Sequence, residues 1–186
     1  FRFDEAVAAA DRLMTFKQAV KTIARRYGMH ATFMPKPIAK VSGSGLHTNM
    51  SLFQDGVNVL HDPADPEGLS KIARYFIGGI LEHMRGITAI ANPLVNSYKR
   101  FVPGFEAPCN ISWSLHNRSP LIRIPAIRGE NTRIELRSPD PASNPYLLFA
   151  ACLAAGLDGI RRQLDPGPSL NTNFYAMNAA ERAARK

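Results

Sequence analysis

One run of residues constrains this chain more than any other. From Pro145 to Leu157 no residue is charged, and Asn144-Pro145 opens the run. Asn is a strong N-cap and Pro is favoured at the first helical position, so a helix is expected from there to about Leu164. The apolar part, 146–157, contains Gly156 and is shorter than the roughly 18 residues that span a bilayer. It is expected to lie buried in a protein core. A buried helix needs other elements to cover it, so the chain must fold in packed layers.

The covering elements are legible at low resolution. Residues 4–27 read as a helix with Asp4 as N-cap. Leu13, Phe16, Val20, Ile23 and Tyr27 form its apolar stripe, and Gly28 ends it. A short strand is expected at 31–34, before Pro35-Lys36-Pro37. Residues 46–52 alternate, with His47, Asn49 and Ser51 on one face and Leu46, Met50 and Leu52 on the other. Asp55-Gly56 reads as a turn. Asp65-Pro66-Glu67 is expected to start a helix that runs to about Met84, with Gly86 beyond its end. Residues 87–104 read as a short helix and a loop. Further strands are expected at 111–115, 121–124 and 132–137; the last sets Arg133, Glu135 and Arg137 on one face and Ile134 and Leu136 on the other. Residues 165–168, Asp-Pro-Gly-Pro, read as a linker. There is no internal repeat. The expected class is α+β: an antiparallel sheet with a polar concave face forming a site, and helices packed on its other face.

Length and composition fit this reading. At 186 residues the chain is one domain or a large piece of one, and 45% hydrophobic with 20% charged residues is ordinary globular usage. Two cysteines, Cys109 and Cys152, exclude a disulfide framework and a Cys-rich zinc module; a reduced, cytoplasmic chain is expected. No apolar leader precedes the first helix, and the sequence opens without Met inside that helix, which reads as a fragment of something larger.

The net charge of +8 is carried mostly by arginine, 16 against 7 lysines. Arg100, Arg118, Arg123, Arg128, Arg133 and Arg137 fall in one stretch with no lysine among them. Guanidinium forks grip phosphate or carboxylate with paired bonds. Set in apolar segments such as Leu121-Ile122-Arg123-Ile124, these arginines either aim at an anionic ligand or pair with carboxylates of the same chain. A nucleic-acid surface is the out-of-class alternative, although no nucleic-acid module is recognisable. The face bearing His47, Asn49 and Ser51 suits a metal and a nucleotide; alternatively His47 is a core histidine. Glu135, between two arginines, stays ionised and reads either as a metal ligand or as an internal ion pair. The Ser42-Gly43-Ser44-Gly45 loop permits close backbone approach to a ligand and positive φ, and it matches neither the P-loop nor the GxGxxG pattern.

Taken in order, these segments resemble a known family. Lys36-Pro37-Ile38, Gly43-Ser44-Gly45-Leu46-His47 and Ser51 look like the ATP-binding signature of glutamine synthetase. Asn92-Pro93, Asn96-Ser97-Tyr98-Lys99-Arg100 and Pro103-Gly104-Phe105-Glu106-Ala107-Pro108 resemble the family's next block. Asn117-Arg118-Ser119, Arg123-Ile124-Pro125, Arg133-Ile134-Glu135-Leu136-Arg137, Pro139-Asp140-Pro141 and Asn144-Pro145-Tyr146-Leu147 continue it. The segment 128–133 looks closest to the bacterial type I enzymes.

The resemblance implies that 1–186 is the C-terminal part of a glutamine synthetase catalytic domain. The first part of that domain and the N-terminal β-grasp domain would then be absent, and the fragment inactive alone. It implies a glutamate–ammonia ligase. ATP phosphorylates the γ-carboxylate of glutamate, and ammonium-derived ammonia then displaces phosphate from γ-glutamyl phosphate to give glutamine. Two or more Mg²⁺ or Mn²⁺ ions serve the complete site.

By motif position, His47 and Glu135 would ligate metal. Ser42, Gly43, Arg100, Glu106, Arg118 and Arg137 would bind glutamate. Asn49, Ser51, Arg118, Arg123 and Arg133 would bind ATP. Glu106, Arg118 and Arg123 would act in catalysis, with Glu106 on a loop that closes over the acyl phosphate. Ser42 stands where relatives often have Asn, and Asn49 where many have His; both keep a small or polar side chain. The implied parent is a cytoplasmic homo-oligomer, a dodecamer, with no nucleic-acid or membrane partner. A γ-glutamyl-amine ligase using a polyamine is the alternative within the superfamily.

Overall fold

The structure is a computed structural model and describes residues 2–103, 105–115 and 117–170. Phe1, Gly104, His116 and residues 171–186, whose last six, Glu-Arg-Ala-Ala-Arg-Lys, read from sequence as a short basic end, lie outside the described residues. Helix α1 spans Ala6–Arg26, β1 Thr48–Met50, β2 Phe53–Gln54, β3 Val57–Asn58, α2 Lys71–Ala91 and α3 Val95–Tyr98. Strands β4 (Trp113–Ser114), β5 (Ile122–Arg123) and β6 (Ile134–Leu136) follow, and then α4 (Pro145–Arg162). The class is α+β, as expected.

The main sheet runs β1-β6-β5-β4. Strand β6 pairs antiparallel with β1 and β5, but β4 and β5 are parallel, so the sheet is mixed rather than wholly antiparallel. The ladders are only two or three residues long, shorter than the alternating segments that contain them. Asp55 (φ +52°) and Gly56 (φ +79°) make the tight turn between β2 and β3.

One apolar core joins the sheet to α2 and α4. Ile122, Ile134, Leu136 and Trp113 from the sheet meet Phe76, Ile77, Ile80 and Met84 of α2 and Leu148, Cys152 and Ala155 of α4. The two helices touch backbone to backbone. A β-carbon on Gly79 would sit 2.1 Å from the Ala155 carbonyl oxygen, and one on Gly159 would sit 2.2 Å from that of Tyr75.

Asn144 caps α4 as expected, accepting from the N–H groups of Tyr146 and Leu147. Only one face of α4 is buried, however; Leu147, Leu153 and Leu157 are exposed, because α2 and α1 cover a single side. Helix α1 also departs from expectation. Ala10, Leu13 and Ala24 are buried, while Phe16, Ile23 and Tyr27 of the predicted stripe are exposed. Contacts such as Tyr146 Oη–Asp11 (2.5 Å) and Lys17 Nζ–Pro141 O (2.6 Å) fix which side faces inward. Glu5, not Asp4, is the α1 N-cap, since Asp4 is paired with Arg12.

Asp65-Pro66-Glu67 forms a turn instead of a helix start. Asp65 accepts the N–H groups of Glu67 and Leu69, Gly68 has φ +69°, and Ser70 caps α2 by accepting from Ala73 N–H. Gly86 lies inside α2, which continues to Ala91. Residues 31–34 find no strand partner; Phe33 instead packs edge-on against Phe16. The expected linker at 165–168 folds back, with Gly167 O accepting from Trp113 Nε1 at 2.9 Å.

Candidate active site

The site grows from the solvent-side face of β6. Strand alternation sends Ile134 and Leu136 into the core and Arg133, Glu135 and Arg137 to the opposite face. Register then sets Asn49 of β1 and Arg123 of β5 on either side of Glu135. His47, two residues before Asn49 on the same face, places Nδ1 3.0 Å from Glu135 Oε1. Arg123 Nε donates to Glu135 Oε2. Arg133 Nε donates to Asn49 Oδ1 at 3.2 Å. Ser51 Oγ donates to the Thr132 carbonyl at 2.9 Å, tying the end of β1 to the approach to β6.

Burial pushes the Glu135 carboxyl up, but the bonds from His47 and Arg123 and the Arg123 charge outweigh it and hold it down at about 2. Glu135 is therefore ionised at neutral pH. With His47 it makes a hard-oxygen and imidazole pair that suits a divalent cation coordinated to phosphate oxygens. Both carboxylate oxygens already hold partners, so an incoming cation would compete with His47 and Arg123. Among the described residues no group of three or more His, Cys, Asp or Glu is placed to hold a metal. The pair therefore fits as two ligands of a larger set.

Beside this row opens a cleft of about 370 Å³ lined by Lys36, Ser42, Gly43, Gly45, His47, Arg100, Phe105, Glu106 and Ala107. Its glycine loop is strapped in place: Ser44 N–H donates to Pro35 O and Leu46 N–H to Pro139 O, each at 2.8 Å. A β-carbon on Gly43 would lie 2.4 Å from Pro35 O; one on Gly45 would lie 3.0 Å from Arg100 Nη2. Close approach, not positive φ, is what these glycines permit, since positive φ in this segment falls on Lys40.

Arg100 is buried. Its Nη1 donates to the carbonyls of Ser138 (2.9 Å) and Pro139 (3.3 Å). Burial lowers its pKa and Arg137 adds to this, against the opposing charge of Asp140. Arg137, also buried, reaches Glu106 Oε2 and its carbonyl at 3.5 Å.

Ser42, Gly43, His47, Arg100 and Glu106 thus line one cleft, with Arg137 against Glu106. Asn49, Arg123, Arg133 and Glu135 continue from it along the sheet. Arg118 is exposed on the 115–121 connection and is not among the residues that line the cleft.

Lys36 has a larger part than its motif position suggested. It is buried in the cleft wall, its Nζ donates to Val41 O and lies 4.3 Å from the centre of the Phe105 ring, and its backbone is held by Asn96 through paired bonds of 2.6 and 2.9 Å. Its sequence signals are confinement between Pro35 and Pro37 and its place in the Lys36-Pro37-Ile38 motif; no periodicity marks it.

A family model described as the catalytic domain of glutamine synthetase matches residues 1–186. The glutamine synthetase of Methanosarcina mazei is 57% identical over 185 residues, covering 100% of this chain and 41% of that protein. That of Clostridium saccharobutylicum is 56% identical over 182 residues, covering 98% and 41%. Among solved structures, a GmaS–ADP complex superposes with a TM-score of 0.85 at 40% identity, over 95% of this chain and 41% of that one. A cryo-EM structure of Plasmodium falciparum glutamine synthetase gives 0.84 at 40% identity, over 89% and 32%. The chain spans about 41% of the length of the curated relatives it matches.

Proposed function

The chain belongs to the glutamine synthetase family, and from that membership we propose that the protein carrying it joins ammonia to the γ-carboxylate of L-glutamate at the expense of ATP. The observation that carries this reading is 56–57% identity, over nearly the whole chain, to proteins named glutamine synthetase. That naming also supports ammonia over a polyamine as acceptor. The arginines support a small anionic ligand over nucleic acid, because Arg100, Arg123 and Arg137 are turned into the sheet face and cleft instead of spread over a solvated surface.

In this reading the cleft receives glutamate. Arg100 and Arg137 hold its carboxylates, and Ser42 and Gly43 bring loop atoms close to it. ATP lies along the sheet against Asn49, Ser51 and Arg133. Arg123 meets the transferring phosphoryl group, with Arg118 closing over it from the 115–121 connection. The γ-carboxylate oxygen attacks the terminal phosphorus and ADP leaves; ammonia then attacks the acyl carbon of γ-glutamyl phosphate and phosphate leaves. Glu106, on the cleft rim, accepts the proton that ammonium must lose, and its loop keeps water from the acyl phosphate.

His47 and Glu135 would hold Mg²⁺ or Mn²⁺ together with ligands from outside this pair; such an ion, when bound, supplies charge neutralisation to the phosphate oxygens. The complete enzyme is read as a cytoplasmic ring-shaped homo-oligomer, a dodecamer. This chain is read as the C-terminal part of its catalytic domain, inactive alone. No helix of the described residues is long and apolar enough to cross a membrane.

The test is a product assay of the full-length protein with glutamate, Mg-ATP and either ammonia or putrescine. Glutamine from ammonia, lost in Glu135→Ala and His47→Ala, is the expected result. Product only with putrescine would move the assignment to a γ-glutamyl-amine ligase, and no glutamate-dependent ADP release with either amine would overturn it.

A further inference from the structure

Arg100 is held from behind by a buried relay that does not itself line the cleft. Its Nη1 donates to Ser138 O at 2.9 Å. The same carbonyl accepts from Asn92 Nδ2 at 2.9 Å, and the second Nδ2 hydrogen goes to Asp140 Oδ2, also at 2.9 Å. Asn92 and Asp140 are both fully buried.

Asp140 is fixed at its carboxylate and at its backbone. Asp140 Oδ1 accepts from Ala142 N–H (2.9 Å), its own N–H donates to Ala91 O (3.2 Å), and its carbonyl accepts from both the N–H and the Oγ–H of Ser143. Asn92 is the C-cap of α2, its N–H closing on Thr88 O. The end of α2 is thereby pinned to the segment that follows β6.

The Asn92 amide has one workable orientation. Reversed, it would aim its oxygen at two acceptors, Ser138 O and Asp140 Oδ2. As it stands, Oδ1 has no partner among the described residues. A buried unsatisfied acceptor is costly, and the two Nδ2 bonds offset that cost. Packing alone would be served better by an apolar side chain.

We infer that Asn92 and Asp140 are positioning residues that set the Arg100 guanidinium for a carboxylate of the substrate. The inference rests on the reading of the cleft as a glutamate site. Arg100 and Arg137 are two buried like charges close enough to disfavour each other, and Asp140 opposes that repulsion. The negative charge of Asp140 polarises the Asn92 amide, which in turn orients the Ser138 carbonyl on Nη1. With Nη1 engaged, Nη2 faces the cleft at Gly45, where a ligand carboxylate meets it.

The test compares Asp140→Asn, Arg100→Lys and the double variant in the full-length enzyme. It follows KM for glutamate and for ATP, kcat, glutamate affinity by calorimetry and the thermal midpoint. Asp140→Asn is expected to raise the glutamate KM and Kd roughly tenfold, as loss of a charge-assisted contact does, with ATP KM and kcat within about twofold. On the Arg100→Lys background the same change is expected to add little, because both act through one guanidinium.

An unchanged glutamate KM in folded Asp140→Asn overturns the inference, as does a full additional effect on top of Arg100→Lys. If Asp140→Asn does not fold, Asn92→Ser carries the test: a glutamate-specific KM increase supports the relay, and a fall in kcat with both KM values unchanged overturns it. Absence of glutamate binding by the wild-type enzyme would overturn the cleft assignment itself, and the relay with it.

Discussion

At the scale of single residues, the cleft depends on atoms that are absent as much as on those present. Gly43 faces the backbone oxygen of Pro35, which has nowhere to go, so Gly43→Ala is expected to cost about 1–3 kcal/mol of stability, read from a denaturant melt. Gly45 faces side-chain atoms instead of backbone, Arg100 Nη2 and the His47 ring, and none lies closer than 3.0 Å to a would-be β-carbon. Gly45→Ala should leave the melt nearly unchanged and weaken glutamate binding, measured by calorimetry on the full-length protein. Equal effects from the two would contradict this division between a backbone clash and looser side-chain contacts. Glycine spacing was legible in the sequence, as was the His47, Asn49 and Ser51 face. The part played by Lys36 was not, because a charge buried under an aromatic ring leaves no periodic trace.

At the scale of elements, the same reasoning separates the glycines of α2. Gly86 sits on the exposed side with nothing near a would-be β-carbon, so Gly86→Ala is expected to stabilise by about 0.5–1 kcal/mol. Gly79 touches the backbone of α4, and Gly79→Ala should force the two helices apart and lower the thermal midpoint sharply. The turn that feeds α2 has its own pH signature. Burial pushes the Asp65 carboxyl up, but the N–H groups of Leu69 and Glu67 and the Arg74 side chain hold it below its ordinary 3.8. A carboxylate whose folded pKa is lowered stabilises above its unfolded value and loses that contribution as pH falls through the folded one. Asp65→Asn should therefore lower the thermal midpoint more at pH 7 than in acid, where the wild-type carboxyl takes up its proton. The helix start expected at Asp65 fails because Gly68, at φ +69°, takes the backbone out of the helical region after a single turn, and Ser70 then caps α2.

At the scale of the whole molecule, one core fixes which surfaces remain. Cys152 lies inside it, and burial pushes its thiol up to about 12, whereas Cys109 is exposed. At pH 8 a thiol reagent should label Cys109 quickly and reach Cys152 only on unfolding; early labelling of Cys152 would mean that the α2–α4 contact opens. Caps, turns and the alternation of the strands are local and short-range, so the sequence alone determined that helices and polar-faced strands exist and which side chains share a strand face. It also carried the family motifs in order. The parallel pairing of β4 with β5, the exposed stripe of α1 and the half-covered α4 depended on which neighbours each element found. So did the meeting of His47, Arg123 and Glu135 and the relay behind Arg100: their residues are separated by up to 88 positions, and only strand register and the end of α2 bring them within a hydrogen bond of one another.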